Sequence, residues 1–163
     1  MKTLFLVRHA KSDWSTEELS DIDRPLNARG FRDAHTMSKR FTSENKIPDI
    51  IFSSPATRAI STALIFCRNL NYALEKFKVD EKIYESNIET MLNIIAQIDD
   101  RHESAMIFGH NPVTTQLANA LCNAGIDNVP TCGIISVQFD VFAWMNTRAS
   151  GAKLISFDYP KKN

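Results

Sequence analysis

Two arginines and two histidines carry the first chemical signal in this 163-residue sequence. Arg8 and His9 follow one short apolar run. Arg58 comes after Ser53-Ser54-Pro55 at the end of a second run, and His110 stands between Gly109 and Asn111 after a third. Arginine offers a planar fork of N–H donors that matches phosphate oxygens and stays charged at any physiological pH. A neutral histidine nitrogen can take a phosphoryl group covalently, splitting one difficult step into two easier ones. The charge in such a transfer stays on the equatorial oxygens, so catalysis is largely positioning and charge stabilisation. Two arginines and a second, protonated histidine around a nucleophilic histidine meet these needs without a metal. His35 and His102 lie in polar surroundings and read as surface residues.

Residues spread from position 8 to 110 meet only if several strand ends converge. Thr3–Val7, Asp49–Ser53 and Ser104–Phe108 are short continuous apolar runs, as expected for strands covered on both faces. Ligands of open α/β sheets sit outside the carboxyl ends of such strands. Between them the spacing predicts helices. Asn27 is placed to cap one with Phe31, Ala34, Met37 and Phe41 on its apolar face, although Gly30 weakens its first turn. Pro55 opens a second with Ile60, Ala63, Leu64 and Cys67. Ile88, Met91, Leu92, Ile95 and Ile98 mark a third, and Val113, Leu117, Ala118 and Leu121 a fourth, capped by Asn111 with Pro112 as its first residue. Leu74–Val79 reads as a further strand, and Ile134–Phe139 with Lys153–Phe157 as a terminal hairpin. The pattern predicts one domain over residues 1–163: a three-layer α/β/α sandwich whose sheet is mostly parallel, with an antiparallel edge strand.

Composition narrows the partners. Nineteen Lys+Arg balance nineteen Asp+Glu, with +2 up to residue 60 and −2 beyond, so an anion must be held locally. This balance argues against nucleic acid as a partner, because domains that bind it usually carry a basic excess. Cys67, Cys122 and Cys132 are widely spaced with no CxxC pair, which suits free thiols in a reducing cytosol. The apolar run Leu4–Val7 is too short for a secretory signal, and no stretch has the ~18 apolar residues of a membrane span. The expectation is a cytoplasmic protein with no membrane partner.

RHAKSDW (8–14), RPLNARG (24–30), SSPATRAISTA (53–63) and GHNP (109–112), in that order, resemble the histidine phosphatase superfamily, and within it the small phosphohistidine phosphatases of the SixA type. The usual family motif has Gly after the histidine, and Ala10 departs from it. The resemblance implies a phosphoglycerate-mutase-like fold, no cofactor and no metal. It implies His9 as the nucleophile, Arg8 and Arg58 as ligands of the phosphoryl oxygens, and His110 as a further phosphate partner. Arg24 either reaches the same pocket or pairs with Asp21 or Asp23. Ser53 and Ser54 either touch phosphate or end a strand and cap a helix. Asn111 is a cap whose helix points its dipole at the anion. Related enzymes place a proton-donating Glu between the second arginine and the second histidine, an interval occupied here by Glu85; Asp13 is the other candidate. An alkoxide leaving group needs that proton, whereas the imidazole of a phosphohistidine leaves far more readily. The implied substrate is a phosphorylated protein such as a histidine phosphotransfer domain, or else a small phosphorylated molecule.

Other readings fit less well. A cysteine phosphatase needs arginine six residues after its cysteine, but Ala73, Asn128 and Gln138 stand there. No GxxxxGK[ST] loop is present. A metal site built from His9, His110, Asp21 and Asp23 would set a divalent cation beside Arg8 and Arg58. A mutase on the same core usually carries inserted lid segments, for which this chain has room only at residues 10–24. A non-catalytic phosphate-binding module would have lost the nucleophile or an arginine.

Overall fold

The computed structural model describes residues 1–45 and 47–162. Strand β1 spans Lys2–Arg8, β2 Ile50–Ser53, β3 Phe77–Val79, β4 Ser104–Gly109, β5 Ile134–Phe139 and β6 Lys153–Asp158. Helix α1 spans Ala28–Glu44, α2 Thr57–Asn69, α3 Ile88–Ala96, α4 Val113–Cys122 and α5 Thr147–Ser150. The six strands form one sheet in the order β3-β2-β4-β1-β5-β6. The first four are mutually parallel, β5 runs antiparallel to β1, and β6 runs antiparallel to β5. The antiparallel edge is thus a pair of strands, joined by a connection that contains α5.

Alternation along β1 sorts the core into two layers. Phe5 and Val7 pack with Ala34, Met37, Phe41, Ala63 and Phe66 of α1 and α2. Leu4 and Leu6 face the other way, onto Met91, Ile95, Leu117 and Leu121 of α3 and α4. Each layer covers one side of the parallel strands, which explains why these strands read as unbroken apolar runs. The expected three-layer sandwich is the observed architecture.

Local differences have physical reasons. Phe31 and Leu64 are exposed, because their helices bury a narrower stripe than the apolar spacing suggests. Helix α2 begins at Thr57 rather than Pro55. Leu74–Lys76 winds into a 3-10 turn, leaving only Phe77–Val79 to pair with β2. Asn27 caps α1 as expected, its side chain accepting from the Gly30 amide at 2.8 Å. Gly30 itself answers a close approach: a Cβ there would lie 2.1 Å from the Lys11 carbonyl oxygen. That carbonyl accepts from the Asn27 amide, and Ser12 bridges Leu26 in antiparallel fashion. The chain leaving β1 is thereby stitched to the start of α1.

Register decides where the histidines fall. Parallel pairing of β1 with β4 sets Arg8 opposite Gly109, so His9 and His110 are the first residues past two neighbouring strand ends. Their ring centroids lie 5.2 Å apart, close to the ~4.8 Å between adjacent strands.

Candidate active site

At the carboxyl ends of β1, β2 and β4 lies a cleft of about 420 Å³, walled by Arg8, His9, Arg24, Arg58, His110 and Asp21 among others. Its base is electrostatically unusual. Arg24 and Arg58 are buried, and His9 is only 8% exposed. Among the described residues, the buried side-chain nitrogens and oxygens that lack a hydrogen-bond partner are Arg8 Nε, Arg58 Nε and His110 Nδ1. All three belong to cleft residues. Each such atom costs about 1–3 kcal/mol, a cost that an anion accepting from them would remove.

His9 is fixed in one tautomer. Its Nδ1 lies 2.7 Å from the Ala10 carbonyl oxygen, which can only accept, so Nδ1 carries the proton and Nε2 keeps a lone pair. Burial pushes the ring's pKa down to about 3, and His110, Arg58 and Arg8 add to the fall, against the Ala10 hydrogen bond that raises it. The ring is neutral near pH 7, as a nucleophile requires.

His110 differs from expectation. Burial first, then Arg58, lowers its pKa to about 4, so it too is neutral here rather than protonated. Its Nε2 lies 2.7 Å from Ser54 Oγ, which also accepts from the Ala56 amide. When that hydroxyl donates to Nε2, the buried Nδ1 carries the ring proton as an unused donor.

The arginines are held from different directions. Arg8 Nη1 donates to the Val129 carbonyl at 2.8 Å. Arg58 donates through Nη1 to the Asp21 carbonyl and through Nη2 to Asp21 Oδ2. Arg24 reaches the cleft and pairs with Asp21, so both alternatives for it hold at once. Its Nε and Nη2 donate to Asp21 Oδ1, and Nη1 donates to Ser12 Oγ. Trp14 stacks over the Arg24 guanidinium at 3.4 Å and forms part of the cleft wall.

Other expected residues fall elsewhere. Ser53 is buried, outside the cleft wall, and donates to the Ser54 carbonyl; Ser54 is the serine that reaches a histidine. Asn111 lines the cleft, but α4 starts two residues later, with Pro112 at its cap. Asn111 Oδ1 accepts from the Thr115 amide, and the Thr114 amide donates to the His110 carbonyl. Those leading amides are therefore engaged within the helix turn. Glu85 is exposed, has a left-handed backbone (φ 53°) and is absent from the cleft wall. Asp13 is likewise outside the wall and accepts from the Ser15 amide.

Sequence reasoning left three contributors unassigned. Asp21 enters as a partner for Arg24 or as a metal ligand, yet it binds Arg58 and accepts from the Tyr84 hydroxyl at 2.6 Å. Tyr84 also packs edge-on against His110. The segment before β5, in which the sequence marks no candidate, supplies the Val129 carbonyl to Arg8 and Thr131 to the wall. The Cys132 amide donates to the carbonyls of Arg8 and His9. Among the described residues no group of three or more His, Cys, Asp or Glu side chains could hold a metal ion, and no helix is long and apolar enough to cross a membrane.

The profile of the histidine phosphatase superfamily (branch 1) matches residues 4–111. An uncharacterized chloroplastic protein of Arabidopsis thaliana is 29% identical over an alignment of 151 residues that covers 88% of this chain and 69% of the relative. A protein of Agrobacterium tumefaciens, provisionally assigned as the phosphohistidine phosphatase SixA, superposes with a TM-score of 0.83 at 28% identity over 98% of both chains. The protein histidine phosphatase SixA in complex with tungstate shares the fold, with a TM-score of 0.82 at 19% identity over 97% of each chain. A cleft that combines a neutral histidine with unpartnered arginine nitrogens, on a fold matched along nearly its whole length, places this chain in the histidine phosphatase superfamily, branch 1, as a SixA-like phosphatase.

Proposed function

We propose that this protein removes phosphoryl groups from phosphohistidine on a partner protein, through a covalent intermediate on His9 and without a metal. The observation that carries this reading is the neutral, tautomer-locked His9 set among three unpartnered buried nitrogens. In the first step Nε2 of His9 attacks phosphorus, the substrate P–N bond breaks, and an imidazole that already holds a proton on its other nitrogen leaves neutral. In the second, water attacks the phospho-His9 bond, giving inorganic phosphate and restoring His9. Arg8 and Arg58 take the equatorial oxygens, with His110 Nδ1–H as a further donor, and each such contact strengthens as charge develops.

The choice of leaving group follows from the acids. Asp21 is the carboxylate on the cleft wall, and the Tyr84 hydroxyl foremost, with Arg24 and Arg58, holds it far below the usual carboxylate range. It stays ionised and has no proton to give. Glu85 and Asp13 lie outside the wall. A cleft without a poised acid suits a phosphoramidate better than an alkyl phosphate. The arginines and Lys11 on the wall also repel a divalent cation.

Rates on a phosphorylated histidine phosphotransfer domain, compared with a panel of alkyl phosphates, test the substrate. A large preference for the phosphoprotein is expected, and a preference for the alkyl esters would overturn that assignment. EDTA should leave the rate unchanged; loss of activity with rescue by added metal would refute metal independence. The free thiols Cys67, Cys122 and Cys132 are in keeping with action in the cytoplasm.

A further inference from the structure

Asp21 is a carboxylate planted among the cations that an incoming phosphate would use. Oδ1 accepts from Arg24 Nε at 3.2 Å and Nη2 at 2.9 Å. Oδ2 accepts from Arg58 Nη2 at 3.0 Å and from the Tyr84 hydroxyl at 2.6 Å, and the Asp21 carbonyl accepts from Arg58 Nη1 at 2.6 Å. The fork of Arg24 is therefore closed on a carboxylate. On Arg58 the Nη edge is taken, and the buried Nε is left without a partner. Both guanidinium groups are buried, whereas the Asp21 side chain is 51% exposed. Asp21 has solvent on one side and the phosphate site on the other.

We propose that Asp21 is a resident counter-anion that limits how tightly the cleft holds phosphate, so that inorganic phosphate leaves after each turnover. The proposal rests on the phosphatase reading of the cleft. A phosphate that enters must share Arg24 and Arg58 with the carboxylate or displace it, and either course subtracts from its binding. Three arginines and Lys11 with no resident anion would hold a product dianion more firmly than a turning-over enzyme can use, since only binding stronger in the transition state than in the ground state speeds the reaction. Tyr84 fixes the arrangement, with its hydroxyl on Oδ2 and its ring against His110.

The test is titration calorimetry of inorganic phosphate into the wild-type protein and the Asp21→Asn, Asp21→Ser and Tyr84→Phe variants, alongside product inhibition. Removing one unit charge a few ångströms from the anion should tighten phosphate binding about tenfold in Asp21→Asn. The KM should fall with it, and kcat should not rise. Tyr84→Phe retains the carboxylate and should not tighten binding. The sign separates this role from a merely structural one, because displaced arginines would weaken phosphate binding. Asp21→Ser gives the same readout if the asparagine variant fails to fold. Unchanged or weaker binding in a folded neutral variant would overturn the proposal while leaving the phosphatase reading intact. A wild-type protein that binds no phosphate and forms no phospho-His9 would overturn both.

Discussion

Strand β1 carries a buried or partly buried cation at each end, and the two are treated in opposite ways. At its start Lys2 is 1% exposed. Its Nζ donates to the Asp100 and His102 carbonyls and to Glu103 Oε1, and lies 5.7 Å from the centre of the Trp144 ring. All three ammonium donors are used, and Trp144 Nε1 donates to the same His102 carbonyl. At the other end, Arg8 has one hydrogen bond through Nη1 and a buried Nε with none. Buried polar groups are normally satisfied, so the satisfied end closes the sheet. The unsatisfied end is poised to gain from a ligand. Charge and burial alone do not tell the two ends apart; the count of unused donors does.

That contrast can be broken in several ways. The most damaging change is His9→Gln, expected to lower turnover at least about 1,000-fold, as loss of a nucleophile does. It should also abolish acid-labile phosphate on the protein; full activity in this variant would refute the covalent mechanism. Arg8→Met should cost about 100–1,000-fold in kcat/KM, as loss of one charge-stabilising donor does. Thermal stability should change little, because the group removed has a single partner. Lys2→Met should reverse that pattern. Stability in urea should fall by about 1–3 kcal/mol as the Asp100 carbonyl loses its donor and the His102 carbonyl one of its two, with kcat unchanged. If Lys2→Met instead lowered kcat with stability intact, the division between the two ends would fail.

The smallest effect is a matter of protons. The folded pKa values of His9 and His110, about 3 and about 4, lie below the ordinary 6.5. On acidification the unfolded chain therefore takes up protons first. The stability contributed by the two neutral rings is complete above pH 6.5 and drains away towards pH 3–4. Nitrogen-15 spectra should show both rings neutral at pH 5.5, with His9 in its Nδ1–H form. Added phosphate should raise the His110 pKa by placing a negative charge beside it; an unmoved titration would remove His110 from the anion site.

The legible part of the site is the part that depends on local position. Arg8, His9, Arg58 and His110 sit immediately past or near the ends of apolar runs, and strand ends are where open α/β sheets collect ligands. The fold was legible for the same reason, through continuous runs for covered strands and three-to-four spacing for helices. Glu85 occupies a suitable interval in sequence, but its left-handed backbone lies on an exposed turn and it is its neighbour Tyr84 that contacts Asp21 and His110. Interval in sequence does not fix direction. The Val129 carbonyl that anchors Arg8 has no residue-type signal, because every residue owns a carbonyl. Asp21 was visible as a charge near Arg24, but its simultaneous grip on Arg58, 37 residues away, is a product of tertiary structure.

Pairing of Arg8 with Gly109 makes the spacing of the two histidines a property of the sheet rather than of the loops. A one-residue slip of β1 against β4 would shift the rings by ~3.3 Å and turn every side chain on the strand to the wrong layer. The core therefore resists such a slip with the whole of its packing. Lengthening of the exposed stretch from Trp14 to Ser20, by contrast, leaves the pairing untouched. Insertions there are an evolutionary route by which the cleft could acquire a cover and a different clientele while the chemistry beneath stays the same.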